Sequence, residues 1–364
     1  MQRRTKLADL LNHFFSIAFL FVSSLVWAAS CHADSLAFSR NARTFELQHS
    51  SLIVKSLGHA CLALKEVQDG LPCNPGYVTK TKKAGLRIEG LLSNGYSNLS
   101  RTRRILNNQF DQDLMTDFFQ DQNVLQTETF LDLMFVSSMI SSRYSPISYK
   151  LFTVIRNSAN PDVDLYAVEE TDLLVQLGHS WGAFDFGLEI KSTEWKFVRQ
   201  RFKLLSLATQ QGLNQIRPKT QTTLFLNPSL SYEFRNLSWS PRVVAQGTNL
   251  GTISEVYPEF PHPAEPMVGF GLSPPVPYVT LYLLLDYKSL NFEEAQSEKL
   301  HFGSLYKLGA MSLGAGIDSN GSSLGIYQGL ESVNAGILFT TTRQPWRNND
   351  YYAETVYVQL GWQL

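Results

Sequence analysis

The chain has 364 residues, a formal net charge of −1, 17% charged residues and 44% hydrophobic residues. A near-neutral balance offers no electrostatic footprint for nucleic acid, and this apolar content excludes a disordered polar chain. The length allows one large domain or two ordinary ones.

Residues 1–33 read as a targeting segment. Arg3, Arg4 and Lys6 give a positive start, "FFSIAFLFVSSLVWAA" an apolar run, and "CHA" a small-residue cleavage site after Ala33. The run is short for a membrane helix, which needs about 20 residues. A rival reading takes "AASC" as a lipid-attachment site with Cys31 as the acylated residue, although Ala28 stands where Leu is usual. Cleavage after Ala33 removes those three cations and Asp9, leaving about −3. It also leaves Cys61 and Cys73, which in an oxidising compartment form one disulfide or stay as two buried thiols.

From residue 84 onward the pattern is alternation with period 2. In "GLRIEGLL", Leu86, Ile88 and Leu92 oppose Arg87 and Glu89. "LSRTRRILNNQFDQDLMTDFFQDQ" interrupts this, with Leu106, Phe110, Leu114 and Phe118 at helical spacing. "ETFLDLMFV", "DLLVQLGHS" and "AFDFGLEI" resume it; in the last, Phe184, Phe186, Leu188 and Ile190 oppose Asp185 and Glu189. A second helical stretch, "RFKLLSLATQQGLNQ", is followed by "TTLFLNPSLSYEF", where Leu224, Leu226 and Leu230 oppose Asn227, Ser229, Ser231 and Glu233. The Pro-rich "YPEFPHPAEP" is a loop, after which "YVTLYLLLDY", "EKLHFGSLYKLG", "MSLGAGID" and "SVNAGILFTT" continue the strands. The last segment, "ETVYVQLGWQL", alternates to the final residue, with Val356, Val358, Leu360, Trp362 and Leu364 on one face.

Two architectures use such a pattern: a soluble sandwich and a transmembrane barrel with apolar residues toward lipid and polar ones in the lumen. The export signal favours the barrel. So do segments of about 10 residues, the length of a tilted spanning strand. So do the inward charges Arg87, Glu89, Asp132, Asp185, Glu189, Glu233 and Asp286, which suit a wet lumen. Trp181, Trp195, Trp239, Trp346 and Trp362 fall near strand ends, where an interfacial girdle belongs. The expected fold is therefore all-β, an antiparallel transmembrane β-barrel of about 14 strands within a range of about 12 to 16. A terminal strand that must pair with the first explains the ordered C-terminus. Trp362 and Leu364 then read as the C-terminal signal that the barrel-assembly machinery recognises. Loop helices are expected at the outer face, either as a lip over the mouth or as solvated loops.

Before the first strand lies "SLGHACLALKEVQDGLPCNPGYV". Gly58, Ala60, Ala63, Asp69, Asn74 and Pro75 match a Gly/Ala run, an acidic turn and an Asn-Pro corner. The segment resembles the N-terminus of the FadL-type outer-membrane transporters of long-chain fatty acids, and of their TraF-like and PorV-like relatives. Gly76 replaces the family's Ala, and Cys61 and Cys73 are additions. The later run from "LLLDYKSLN" to "NAGILFTT" is similar to the strand series of the TraF-like branch. The resemblance implies a division into residues 1–33, a signal; residues 34–83, a hatch inside the lumen; and residues 84–364, the barrel wall.

It implies, as function, passive transport of hydrophobic small molecules such as fatty acids across the outer membrane. The alternative is an outer-membrane anchor for a secretion or conjugal-transfer system, and a general porin comes third because a hatch would block it. The expected partners are outer-membrane lipid, the assembly machinery and either a hydrophobic ligand or a secretion-system protein. The hatch corner Asn74, Pro75 and Gly76 is the candidate ligand site. Arg87 is either a carboxylate contact or a lumen ion pair with Glu89.

No enzymatic activity is expected. His179 and Ser180 in "GHSWG" point to opposite faces of a strand and have no elbow or acid partner. "GAGIDSNG" precedes a strand, not a helix, and is a hairpin rather than a dinucleotide loop. No CxxC, HExxH or clustered His set occurs, so neither metal nor cofactor is expected.

Overall fold

In the computed structural model, residues 50–65, 69–81, 84–109, 124–156, 162–203, 216–288, 299–318, 321–330, 332–346 and 349–364 are described. The signal, the Cys31 site, the stretch from Phe110 to Phe118 and residues 204–215 of the second helical segment lie outside them.

Fourteen strands form one closed antiparallel sheet. They are β1 Gly85–Ser93, β2 Val124–Val136, β3 Ile140–Arg156, β4 Asp162–Trp181, β5 Phe184–Lys203, β6 Lys219–Glu233 and β7 Arg242–Thr248, which continues after Asn249 as Leu250–Ile253. Then follow β8 Glu265–Leu272 with Pro275–Val276, β9 Val279–Lys288, β10 Leu300–Leu308, β11 Met311–Asp318, β12 Gly321–Gly329, β13 Val333–Trp346 and β14 Asn349–Gln363. Each pairs with its chain neighbour. The cylinder closes where β14 pairs with β1, Trp362 opposite Ile88, and the Leu364 amide donates to the Leu86 carbonyl at 2.9 Å. Closure satisfies the backbone of both terminal strands, which is why the chain is ordered to its last residue.

The alternation sorts the side chains as the sequence reads. Leu86 (54% exposed), Leu173, Leu226, Ile326, Phe339 (56%) and Leu360 face outward, while Glu89, Asp132, Asp185, Glu189 and Asp286 are buried inside. An outer belt of exposed large aliphatics costs about 25 cal/mol per Å² in water and nothing in lipid, so the wall is a transmembrane one. Among the described residues no helix is long and apolar enough to cross a membrane. One end of the cylinder carries Gly85, Leu364 and the turns 137–139, 182–183 and 309–310. The longest connections, 94–123, 204–218, 254–264 and 289–299, all leave the opposite end.

Three details differ from expectation. Most of the inward charges do not sit in a wet lumen: residues 50–65 and 69–81 fill much of it, and Glu89, Asp132, Asp185, Glu189 and Asp286 are sealed against that plug or against one another. Trp181, Trp239 and Trp362 are exposed at the short-turn rim, but Trp195 is in mid-strand with only 3% of its surface exposed. Its register explains this: Trp195 pairs with Glu170 and Gln221, both inward. Finally, the helix at Leu99–Leu106 forms no lip. Its buried Thr102, Ile105 and Leu106 lie against β3–β5, where the outward-facing Leu151, Leu165 and Val198 are also buried. The basic, polar side of the helix takes the solvent.

Candidate functional site

The plug is built from two short turns of helix tied to the wall. The first, Leu52–Ser56, is capped by Ser51. Asp69 then accepts the Ser51 hydroxyl and the Ile53 amide, each at 2.9 Å, and the Leu52 amide donates to Gln359 Oε1 of β14 at 2.8 Å. A helix this short is unstable alone; its amides persist because side chains of the plug and wall accept them. Lys55 at its C-terminal end pairs with Glu128 of β2 at 2.8 Å.

Beyond it the chain reverses through Gly58 and His59, both left-handed, at φ 56° and 64°. This corner presses on the wall. A Cβ on Gly316 would sit 2.0 Å from the Gly58 nitrogen, and one on Gly314 2.0 Å from Ser56 Oγ. Only glycine permits that approach. His301 Nδ1–H donates to the Gly58 carbonyl at 2.8 Å. Asp286, fully buried on β9, accepts the amides of Cys61 at 2.7 Å and Leu62 at 3.0 Å. Cys61 is disulfide-bonded to Cys73, with Cα atoms 5.8 Å apart, which joins the two arms of the plug.

The second turn, a 3₁₀ helix at Pro75–Lys80, begins at the Asn-Pro-Gly corner. Asn74 Oδ1 accepts the Gly76 amide at 2.9 Å and the Ser229 hydroxyl at 2.7 Å, and Pro75 occupies the first helical position, where no N–H is needed. Here too wall glycines admit the backbone: a Cβ on Gly187 would lie 2.1 Å from the Gly76 nitrogen. Gln176 donates to the Pro72 carbonyl, and Lys80 pairs with Asp185 at 2.6 Å. Asn74, Pro75 and Gly76 are buried against β4–β6, so in this state they fasten the plug. Arg87 lies inward on β1, on the same face of the strand as Glu89. Glu89 accepts the Gly70 amide at 3.0 Å and Gln359 Nε2 at 3.2 Å, which makes it a wall anchor, a role that alternation alone does not reveal.

Burial shifts the titration of the plug. Asp69 is pushed up to about 6 by desolvation, against the bonds it accepts from Ile53, Ser51 and Gln359. Desolvation also lowers Lys65, although Glu233 pairs with it, and raises Tyr77 to about 12.

Between the short-turn end and the middle of the wall, charges ladder across β2–β5. Arg143 meets Asp172 at 2.7 Å, Lys191 meets Glu170 at 3.0 Å, and Ser145 donates to Asp132 at 2.6 Å. At this height the ladders on both sides of β3 shift register. Between shared partners, β3 carries one residue more than either neighbour: Leu131 and Leu133 of β2 face Ile147 and Tyr144, and Asp172 and Glu169 of β4 face Ser145 and Tyr149. Pro146 sits in this bulge and has no N–H for either ladder. A proline inside an alternating run is the one sequence signal of this break.

The fold and its filling define a class, a plugged 14-stranded transmembrane β-barrel. No family model and no curated protein matches the chain. Solved structures similar to it include the CymD monoaromatic hydrocarbon channel (7% identity over 88% of this chain and 99% of that one, TM-score 0.48). They also include the P. putida toluene transporter TodX (7%, 88% and 99%, TM-score 0.46) and Escherichia coli outer membrane phospholipase A (10%, 85% and 97%, TM-score 0.35). The phospholipase corrects the expectation that the chain has no enzymatic activity: barrels of similar outline include an enzyme, so this architecture does not exclude catalysis.

Proposed function

We propose that the chain is an outer-membrane channel for passive transfer of hydrophobic small molecules, with residues 1–33 a cleaved export signal, 34–83 a hatch and 84–364 the wall. The long-loop end then faces outward and the short-turn end the periplasm, the usual disposition in such barrels. The observation that carries this reading is the conjunction of a filled lumen with a break in both ladders of β3. A ligand admitted at the outer mouth meets the hatch, and the bulge at 145–148 offers a sideways exit into the bilayer. That route suits an apolar molecule, because each methylene kept out of water saves about 0.8 kcal/mol. An aqueous porin needs no such break and works badly with a sealed hatch. The FadL-type resemblance supports the reading, and fatty acids are one ligand class within it.

The test is deletion of Pro146, which gives β3 the same count as its neighbours and lets both ladders run through. The barrel should still show heat-modifiable migration, while uptake of a hydrophobic probe into proteoliposomes should fall about tenfold. Unchanged uptake, with an unchanged result when Leu131→Cys and Ile147→Cys are cross-linked across the break, would refute lateral release. Stoichiometric co-purification of a secretion component would instead favour the anchor reading.

A further inference from the structure

Above the charge ladder, the inner wall turns aromatic. Phe152 of β3, Tyr166 of β4, and Trp195 and Phe197 of β5 face inward and are nearly inaccessible. What covers them comes from the 254–264 connection, the Pro-rich loop of the sequence. It dips into the mouth and inserts Phe260, which is 0% exposed. The Phe260 ring stacks on Phe197 with centroids 4.2 Å apart and planes 13° from parallel. It meets Trp195 edge-on at 5.3 Å and lies 6.3 Å from Tyr166. His262 closes the remaining side, 5.0 Å from Phe260 and 5.2 Å from Trp195.

This insert is not part of the wall. Its described anchors are chiefly side-chain bonds: Arg199 donates to the Glu259 carbonyl at 2.6 Å, Gln221 bonds the Glu255 carbonyl and His262, and Lys219 pairs with Glu259. The Lys219–Glu259 pair is about a third exposed, the kind of contact worth less than about 1 kcal/mol. A buried phenyl is thus carried on a loop held mainly by side chains rather than by a strand ladder.

We propose that Tyr166, Trp195 and Phe197 form a ligand site for one uncharged aromatic ring, and that Phe260 occupies this site when no ligand is present. The proposal rests on the transport reading and names a ligand class for it. The chemistry follows from the occupant. The cage holds a six-membered ring by stacking on one face and an edge contact on another, geometry that favours a planar π system over a flexible chain. Binding needs the loop to lift, so the free-state affinity is reduced by the fraction of time Phe260 is out. A ligand ring recovers the aromatic contacts that Phe260 gives up.

The experiment uses the full-length barrel in detergent, titrated with 4-fluorotoluene and followed by ¹⁹F NMR line width, with sodium decanoate as the linear competitor. Phe260→Ala should tighten 4-fluorotoluene binding about tenfold, since the competing ring is gone. Lys219→Met, which leaves the cage intact and loosens the loop, should tighten it in the same direction. Adding Trp195→Ala to Phe260→Ala should abolish it, and decanoate should displace the probe poorly. Equal affinity in the unmodified barrel, Phe260→Ala and Lys219→Met overturns the site, as does full displacement by decanoate. Flux is scored separately: ring binding that follows this pattern without uptake sinks transport alone, whereas uptake of a linear acid without ring binding sinks the site alone.

Discussion

Strands β10–β12 and strands β3–β5 belong to one sheet but meet the plug in opposite ways. The first group is short, 9, 8 and 9 residues, and presents Gly303, Gly314, Gly316 and Gly325 inward. The plug backbone lies directly on this floor. The second group runs to 17, 20 and 20 residues and presents charges and rings. It reaches the plug mainly through side chains, with Gly178 and Gly187 as local exceptions under Pro75 and Gly76. Seating of plug backbone and the short Ser56 side chain on glycine tolerates little displacement, because the interior there is close-packed. Side-chain seating tolerates more. The glycine wall is therefore where the plug is fixed, and the tall wall, with the β3 bulge and the Phe260 loop, is where the molecule has room to move.

The largest effect that tests this contrast is removal of the plug. Deleting residues 34–80 should leave the wall to close and raise ion conductance in planar bilayers by an order of magnitude or more, since a barrel of this strand number is wide enough to hold water once emptied. Conductance equal to that of the full chain would mean the plug does not occlude the lumen, and the contrast between the two walls would lose its meaning. Next is Gly316→Val. Its new side chain would begin 2.0 Å from plug backbone, where nothing flexible can yield, so a cost of about 3 kcal/mol or more is expected. The readout is loss of the folded, heat-modifiable form or a plug-open conductance. Gly90→Ala on β1 is the control, since its Cβ meets nothing nearer than 3.8 Å. Equal behaviour of the two variants would show that the glycine floor is incidental.

Much of this architecture is legible in the amino-acid sequence. Parity alone assigns Leu86 outward and Glu89 inward, and the unbroken alternation from Val356 to Leu364 foretells a strand that pairs to the end. The count of 14 follows from an average of about 20 residues per strand and turn, and it holds although strands range from 8 to 20 residues. The glycines of "GSLYKLGAMSLGAGID" are legible as a hairpin-rich series but not as a floor, because their purpose depends on plug backbone more than 200 residues away in the chain. Nearness to an apparent strand end misplaces Trp195, because β5 continues to Lys203. Nothing local announces that "YPEFPHPAEP" turns inward; the rings that receive Phe260 come from two other strands. The Asn74 corner is visible as a turn, yet Ser229 and Gly187, which hold it, have no sequence signature of that role.

The smallest effect concerns the seam between the two walls, where Asp69 and Glu89 share one amide. Gln359 Nε2 lies 3.2 Å from an oxygen of each. Burial of the Asp69 carboxyl favours its holding a proton, against the bonds it accepts from Ile53, Ser51 and Gln359. The folded value for Asp69, about 6, lies above its ordinary 3.8. Between those values the folded chain holds more protons than the unfolded one. The resulting stabilisation is complete below the ordinary value and is lost as pH rises through about 6. The plug should therefore be held more firmly at pH 5 than at pH 7. Hydrogen exchange of the Leu57–Leu64 amides, corrected for intrinsic rates, should show greater protection at the lower pH, and Asp69→Asn should flatten the difference. Greater protection at pH 7 would reverse the sign and show that the ionised carboxylate, with the Ser51 hydroxyl and the Ile53 amide donating to it, is the form that seats the plug.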